Sequence, residues 1–189
     1  MRLRVCATLL SVTLGALACD RSQTSAPGCP SVEPAGPPID ERVMAFLSAA
    51  RALHHEADMQ ERAGDVDAAL GSLQRLVALK APKASESDEV LADAYARLAE
   101  LRLEKNDVPG AEQEVKQGLD HAAGPTYFRG HLLEVEGLVE ERRAATLADA
   151  GSAREAAGAR ARAVSLLEEA VRVQELVIAR ALADGGEDD

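Results

Sequence analysis

The chain has 189 residues, 47% hydrophobic and 28% charged, a balance that supports a packed core and rules out wholesale disorder. Aromatics make up only 2% and tryptophan is absent, which removes stacking platforms for single-stranded nucleic acid and aromatic-lined sugar clefts. With 21 Lys and Arg against 32 Asp and Glu, the formal charge of -11 repels phosphate backbones, so nucleic acid is not an expected partner.

Arg2 and Arg4 open the sequence, and residues 5–18 then carry no charge. This run is shorter than the roughly 20 apolar residues that cross a bilayer as a helix, so it reads as a secretory signal over residues 1–18. It ends Leu14-Gly15-Ala16-Leu17-Ala18-Cys19, and small residues directly before a cysteine resemble the lipobox of bacterial lipoproteins. In that family leucine is usual three residues before the cysteine, where this chain has Ala16 followed by Leu17. The resemblance implies cleavage before Cys19, acylation of Cys19, and attachment to a bilayer of the bacterial cell envelope. Several acyl chains anchor stably where one does not. The residues also allow ordinary cleavage at an Ala-x-Ala-like site, with Cys19 a plain thiol. Cys6 lies in the signal, and with Cys19 acylated Cys29 has no intramolecular partner, so no disulfide framework is expected. Residues 19–38 hold five of the eight prolines (Pro27, Pro30, Pro34, Pro37 and Pro38) among Ser, Thr, Ala and Gly, the composition of an extended tether.

From Ile39 to Ala183 the pattern predicts an all-α domain of six helices in three antiparallel hairpins. The first helix spans about residues 40–63, with Asp40 as N-cap, Ile39 and Met44 as a hydrophobic staple, and Val43, Leu47, Ala50, Leu53 and Ala57 on one face. After Gly64-Asp65 a second helix runs to about Lys80, where Pro82 follows. The third covers about residues 88–105. The fourth starts after Asn106-Asp107 with Pro109 in its first turn, and Gly124-Pro125 stops it. The fifth covers about residues 127–148. A turn at residues 149–151 leads into the sixth, where Ser152 and Glu155 have capping-box spacing. This last helix carries a main apolar stripe of Ala163, Leu167, Ala170, Val171, Val177 and Ile178, and a second stripe of Leu166, Val173 and Leu176. The second stripe either packs on the preceding hairpin or forms a homodimer or partner ridge. Residues 184–189 form an acidic tail.

A turn Gly or Asn is followed five residues later by Ala, four further on by an apolar residue, and three further on by an apolar or small one. The copies are Gly64-Ala69-Leu73-Leu76, Asn106-Ala111-Val115-Gly118 and Gly158-Ala163-Leu167-Ala170. Small residues let antiparallel helices approach, and larger ones fill the groove between them. Gly64-Asp65-Val66 with Ala69-Leu70, and Tyr95, Leu98, Ala99, Asn106-Asp107 and Ala111, resemble the tetratricopeptide-repeat family over roughly residues 50–182. The alanines repeat at 42 and 52 residues, against a family period of about 34. The resemblance implies a short solenoid of three stacked hairpins; an irregular six-helix bundle is the alternative.

The sequence contains no Gly-x-Ser-x-Gly elbow, phosphate loop, Gly-x-Gly-x-x-Gly or Cys-x-x-Cys, so no enzyme activity and no cofactor is expected. His54 and His55 are adjacent and point about 100° apart on a helix, and His121 and His131 form no zinc pair either, so no metal site is expected. Asp65 and Asp67 read as helix-start acids, and the run Glu134, Glu136, Glu140 and Glu141 as a solvated face.

In tetratricopeptide repeats the first helix of each hairpin lines the concave face. That resemblance implies facing positions Arg51, His54, Asp58 and Glu61; then Asp93, Ala96, Glu100 and Leu103; then His131, Glu134, Leu138 and Glu141. Six are acidic and one is basic, so a basic or mixed basic–apolar segment of another envelope protein is the expected ligand. The function expected from this pattern is that of a membrane-anchored, non-enzymatic protein-interaction scaffold. The competing readings are an envelope bundle that binds a small ligand or metal, and a structural spacer.

Overall fold

A computed structural model describes residues 40–184. The expected signal, Cys19, Cys29, Ile39, the expected tether and residues 185–189 lie outside the described residues. The described chain is all-α, with six helices: α1 (Glu41–Arg62), α2 (Val66–Val77), α3 (Ser85–Glu104), α4 (Val108–His121), α5 (Tyr127–Asp149) and α6 (Ala153–Asp184). Two boundaries differ from the sequence pattern by about a turn. Helix α2 stops at Val77, before Lys80, and α3 starts at Ser85, where Ala84 stands at the N-cap without a side-chain hydrogen bond.

The three hairpins reverse on the same backbone turn. Gly64, Asn106 and Gly151 have φ of 77°, 59° and 79°, the left-handed region that glycine and asparagine tolerate best. In each, the N–H of the residue after the left-handed one donates five residues back: Asp65 to Gln60, Asp107 to Arg102 and Ser152 to Leu147. The left-handed residue itself donates to the carbonyl three back, at Glu61, Leu103 and Ala148. This is the Schellman arrangement. The following residue then starts the next helix, and Asp65 and Asp107 accept from Ala68 N–H and Gly110 N–H, both at 3.0 Å.

These turns correct the third copy of the sequence repeat. The turn residue is Gly151, whereas Gly158 lies inside α6. Five residues after each turn stands an alanine, Ala69, Ala111 or Ala156, and all three are fully buried. Their spacings are therefore 42 and 45 residues, more even than the sequence pattern suggested.

Each hairpin closes on itself, α1 on α2, α3 on α4 and α5 on α6. Between hairpins, α2 and α4 touch the next first helix, α3 and α5. The first helices also touch in sequence, α1 on α3 and α3 on α5. Helices α1, α3 and α5 thus form one layer. The central α3 meets four helices, which explains why it buries residues around most of its circumference, from Leu91 and Ala92 to Ala94, Ala96, Leu98 and Ala99.

The core depends on small residues for close approach. Ala57 and Ala69 lie against Leu70, Leu73 and Leu98 where the first hairpin meets α3. Gly118 of α4 faces Leu132 of α5 so closely that a Cβ there would sit 2.5 Å from a Leu132 methyl. Two buried carboxylates are fully paired. Glu114 of α4 accepts from Arg102 of α3 at 2.8 Å, and Arg102 also donates to Asp107 at 2.8 Å. Glu140 of α5 accepts from Arg162 of α6 at 2.9 Å and from Arg143. Glu140 is therefore not part of a solvated run, as the sequence suggested. Half-buried Glu136 has its carboxyl pushed above the usual carboxylate range, by burial first and then by nearby Glu140.

Helix α6 also departs from its predicted face. Val173 is buried with Ala170 against Leu133 of α5, and Leu166 packs beside them, so this part of the second stripe packs inside its own hairpin and not on the preceding one, while Leu176 is exposed. Val171 and Ile178, placed on the core stripe by sequence, are more than half exposed. No described helix is long and apolar enough to cross a membrane.

Candidate functional site

The layer formed by α1, α3 and α5 presents one face of half-buried and exposed side chains. Helix α1 contributes Arg51, His54, Asp58 and Glu61, and α5 contributes His131, Glu134, Leu138 and Glu141, at the predicted positions. Helix α3 differs. Its accessible line is Val90, Asp93, Arg97, Glu100 and Glu104, while Ala96 and Leu103 are buried. Leu103 packs in the core with Ala99 and Val139 and shows only an edge at the surface.

Arg97, missed from the sequence, organises the α1 side. Its guanidinium donates to Asp58 at 2.8 Å and to Glu61 at 2.6 Å, and lies 3.0 Å from His54 Nδ1. Across the ring, His54 Nε2 lies 3.7 Å from Asp93. Burial pulls His54 below its ordinary value; Asp93 and Asp58 oppose that, and Arg97 adds to it. The neutral ring is therefore favoured. On the α5 side, His131 Nε2 lies 3.2 Å from Glu100, while its Nδ1 is buried with no hydrogen-bond partner. The hydrogen bond to Glu100 raises His131 above the ordinary histidine value, with Asp93 and Glu134 assisting and burial opposing.

The charge of this face is therefore uneven. Arg97 pairs with both Asp58 and Glu61 beside α1 and offsets one of their two charges. Toward α5, Glu104, Glu134 and Glu141 have no ion-pair or hydrogen-bond partner among the described residues.

Two shallow grooves follow the layer. One of about 250 Å³ lies between α1 and α3, lined by Leu47, Arg51, His54, Val90, Asp93 and Phe128. The other, of about 320 Å³, lies between α3 and α5. Its apolar side is Leu103, Leu138 and Ala145, and its rim carries Glu100, Glu104 and Glu141. Arg142 also borders it, but its guanidinium is engaged by the Asn106 side chain. Among the described residues no group of three or more His, Cys, Asp or Glu is arranged to hold a metal ion.

His131 makes a directional pH prediction. The folded chain holds this proton more tightly than the unfolded chain does. The His131–Glu100 contribution is thus fully present below about 6.5 and is lost as pH rises through the higher native value. His131→Gln should cost about 1 kcal/mol or less below that range, and close to nothing in mildly alkaline solution, by urea denaturation. A difference that grows with rising pH would contradict the assignment.

Comparison with protein-family models, with characterised proteins and with solved structures finds no match to this chain.

Proposed function

We propose that the protein is a lipid-anchored scaffold of the bacterial cell envelope, without enzyme activity, whose helical domain stacks hairpins in a tetratricopeptide-like manner. The α1–α3–α5 layer would receive a segment of another envelope protein. The observation that carries this reading is the groove between α3 and α5, an apolar trough with a rim of three carboxylates, two of them unpaired among the described residues. Such a trough favours an extended or helical peptide that alternates apolar and basic residues. Apolar side chains lose water in the trough, and Lys or Arg meets Glu100, Glu104 and Glu141 at its edge.

The stacking half of the proposal draws support from the three matching turns and from the first-helix contacts α1 on α3 and α3 on α5. The anchoring half rests on the residues before Cys19.

The test of the groove is Glu104→Lys with Glu141→Lys, measured on synthetic amphipathic Lys/Leu peptides and on any captured envelope partner. Binding should weaken by about tenfold or more at low salt, and its salt dependence should flatten. Equal affinity at low and high salt would remove the groove from consideration. The anchor is tested separately: Cys19→Ala should leave the precursor unprocessed or release the protein from membranes on fractionation.

A further inference from the structure

Helix α6 is 32 residues long, about 48 Å, and among the described helices it touches α5 alone. Its face away from the core carries a line of exposed residues, six of them apolar: Ala157, Ala161, Val164, Val171, Ile178 and Leu182. Glu168 and Glu175 complete the line, and both are accessible. The successive steps alternate strictly between four and three residues across the whole of it. That is the heptad seam of a helix that pairs lengthwise with another helix. It differs from the broader stripe of Ala156, Ala159, Ala163, Ala170 and Val173 that α6 already buries.

We propose that this seam pairs with the same seam of a second copy of the chain, antiparallel. The charges on the page select that occupant and that direction. In a parallel pair, Glu168 would face Glu168 of the second copy and Glu175 would face its own counterpart, at the cost of like charges in a closed seam. In an antiparallel pair the layers run Ala157 with Leu182, Ala161 with Ile178, Val164 with Glu175, and Glu168 with Val171. Every seam residue is then opposite an apolar one or is itself apolar.

The same register sets Arg172 of each copy beside Glu168 of the other. Arg172 is exposed and has no ion-pair partner among the described residues. Glu168, which interrupts the apolar line, thus becomes the group that fixes register and direction. Two-fold pairing is isologous, so each contact occurs twice.

The experiment uses the full-length chain in density-matched detergent with a reducing agent, so that cysteines cannot link copies. Sedimentation equilibrium should give a reversible two-chain species. Val171→Glu and Glu168→Arg should each raise its dissociation constant by about tenfold or more, with the helical circular dichroism unchanged. Arg172→Glu should do the same, and the exchange Glu168→Arg with Arg172→Glu should restore the dimer. A wild-type chain that stays monomeric at tens of micromolar overturns the proposal, as does a dimer indifferent to Val171→Glu. Dissociation by the single changes without recovery in the exchange overturns the antiparallel register.

Discussion

Leu98→Ala lowers the stability of the helical domain by about 3 kcal/mol, seen as a lower urea midpoint with an unchanged slope. Leu98 is fully buried in α3, where it packs with Ala57 of α1 and with Ala69, Leu70 and Leu73 of α2. Losing one methine and two methyl carbons removes their transfer free energy, and the rest of the cost depends on whether neighbours fill the gap. Two of those neighbours are alanines, which have no rotamers with which to reach inward. The cavity therefore persists, and the loss stays within the usual range of about 2 to 5 kcal/mol. Val164→Ala, on the exposed line of α6, serves as the control and should change the midpoint little at protein concentrations where the chain is monomeric. A Leu98→Ala loss under about 1 kcal/mol would mean that α1 and α2 close over the gap.

Gly118→Val destabilises the domain by about 2 kcal/mol, although glycine inside a helix normally costs up to about 1 kcal/mol relative to alanine. The added Cβ would sit 2.5 Å from a Leu132 methyl and 3.0 Å from the Tyr95 Cβ. Leu132 is itself fully buried, so its methyl has no empty space to turn into. The strain is relieved only if α4 moves away from α5 and α3, which loosens the contacts of Val115 and Ala122 with α5. Gly118→Ala should fall between the two, because better helix propensity offsets part of the clash. Thermal melts of the pair distinguish the cases; a valine variant more stable than wild type would show that this approach is not tight.

Much of the architecture was legible because helix ends carry chemistry. Gly64-Asp65 and Asn106-Asp107 combine a residue that tolerates positive φ with one that caps the next helix, and both lie at turns. The third turn was legible at residues 149–151, but the third repeat copy was started at Gly158 because the surrounding sequence is rich in alanine: Ala153, Ala156, Ala157, Ala159, Ala161 and Ala163 satisfy almost any small-residue spacing. Helix α3 was phased one residue off at Ala96 and Leu103 for a different reason. A helix packed by four others has no broad polar face, so little in its composition marks which narrow strip stays open. On α6 the apolar residues belong to two lines, one against α5 and one outward, and hydropathy alone does not say which is which. Arg97 escaped notice because its meaning lies in partners 36 and 39 residues away on α1. Local spacing carries no record of such a meeting.

The position of α3 also governs how the domain comes apart. Because α3 is shared by both neighbouring hairpins, α1 or α2 cannot leave without exposing one of its walls, and α3 cannot leave without opening four interfaces at once. Among the described helices of one chain, α6 is bound at one interface only. Opening of the structure under native conditions should therefore begin at the C-terminal end and stop at α3, whose amide hydrogens would exchange only when the whole domain unfolds. The helix with the most neighbours thus sets the global unfolding free energy, and the longest helix belongs to the part that opens first.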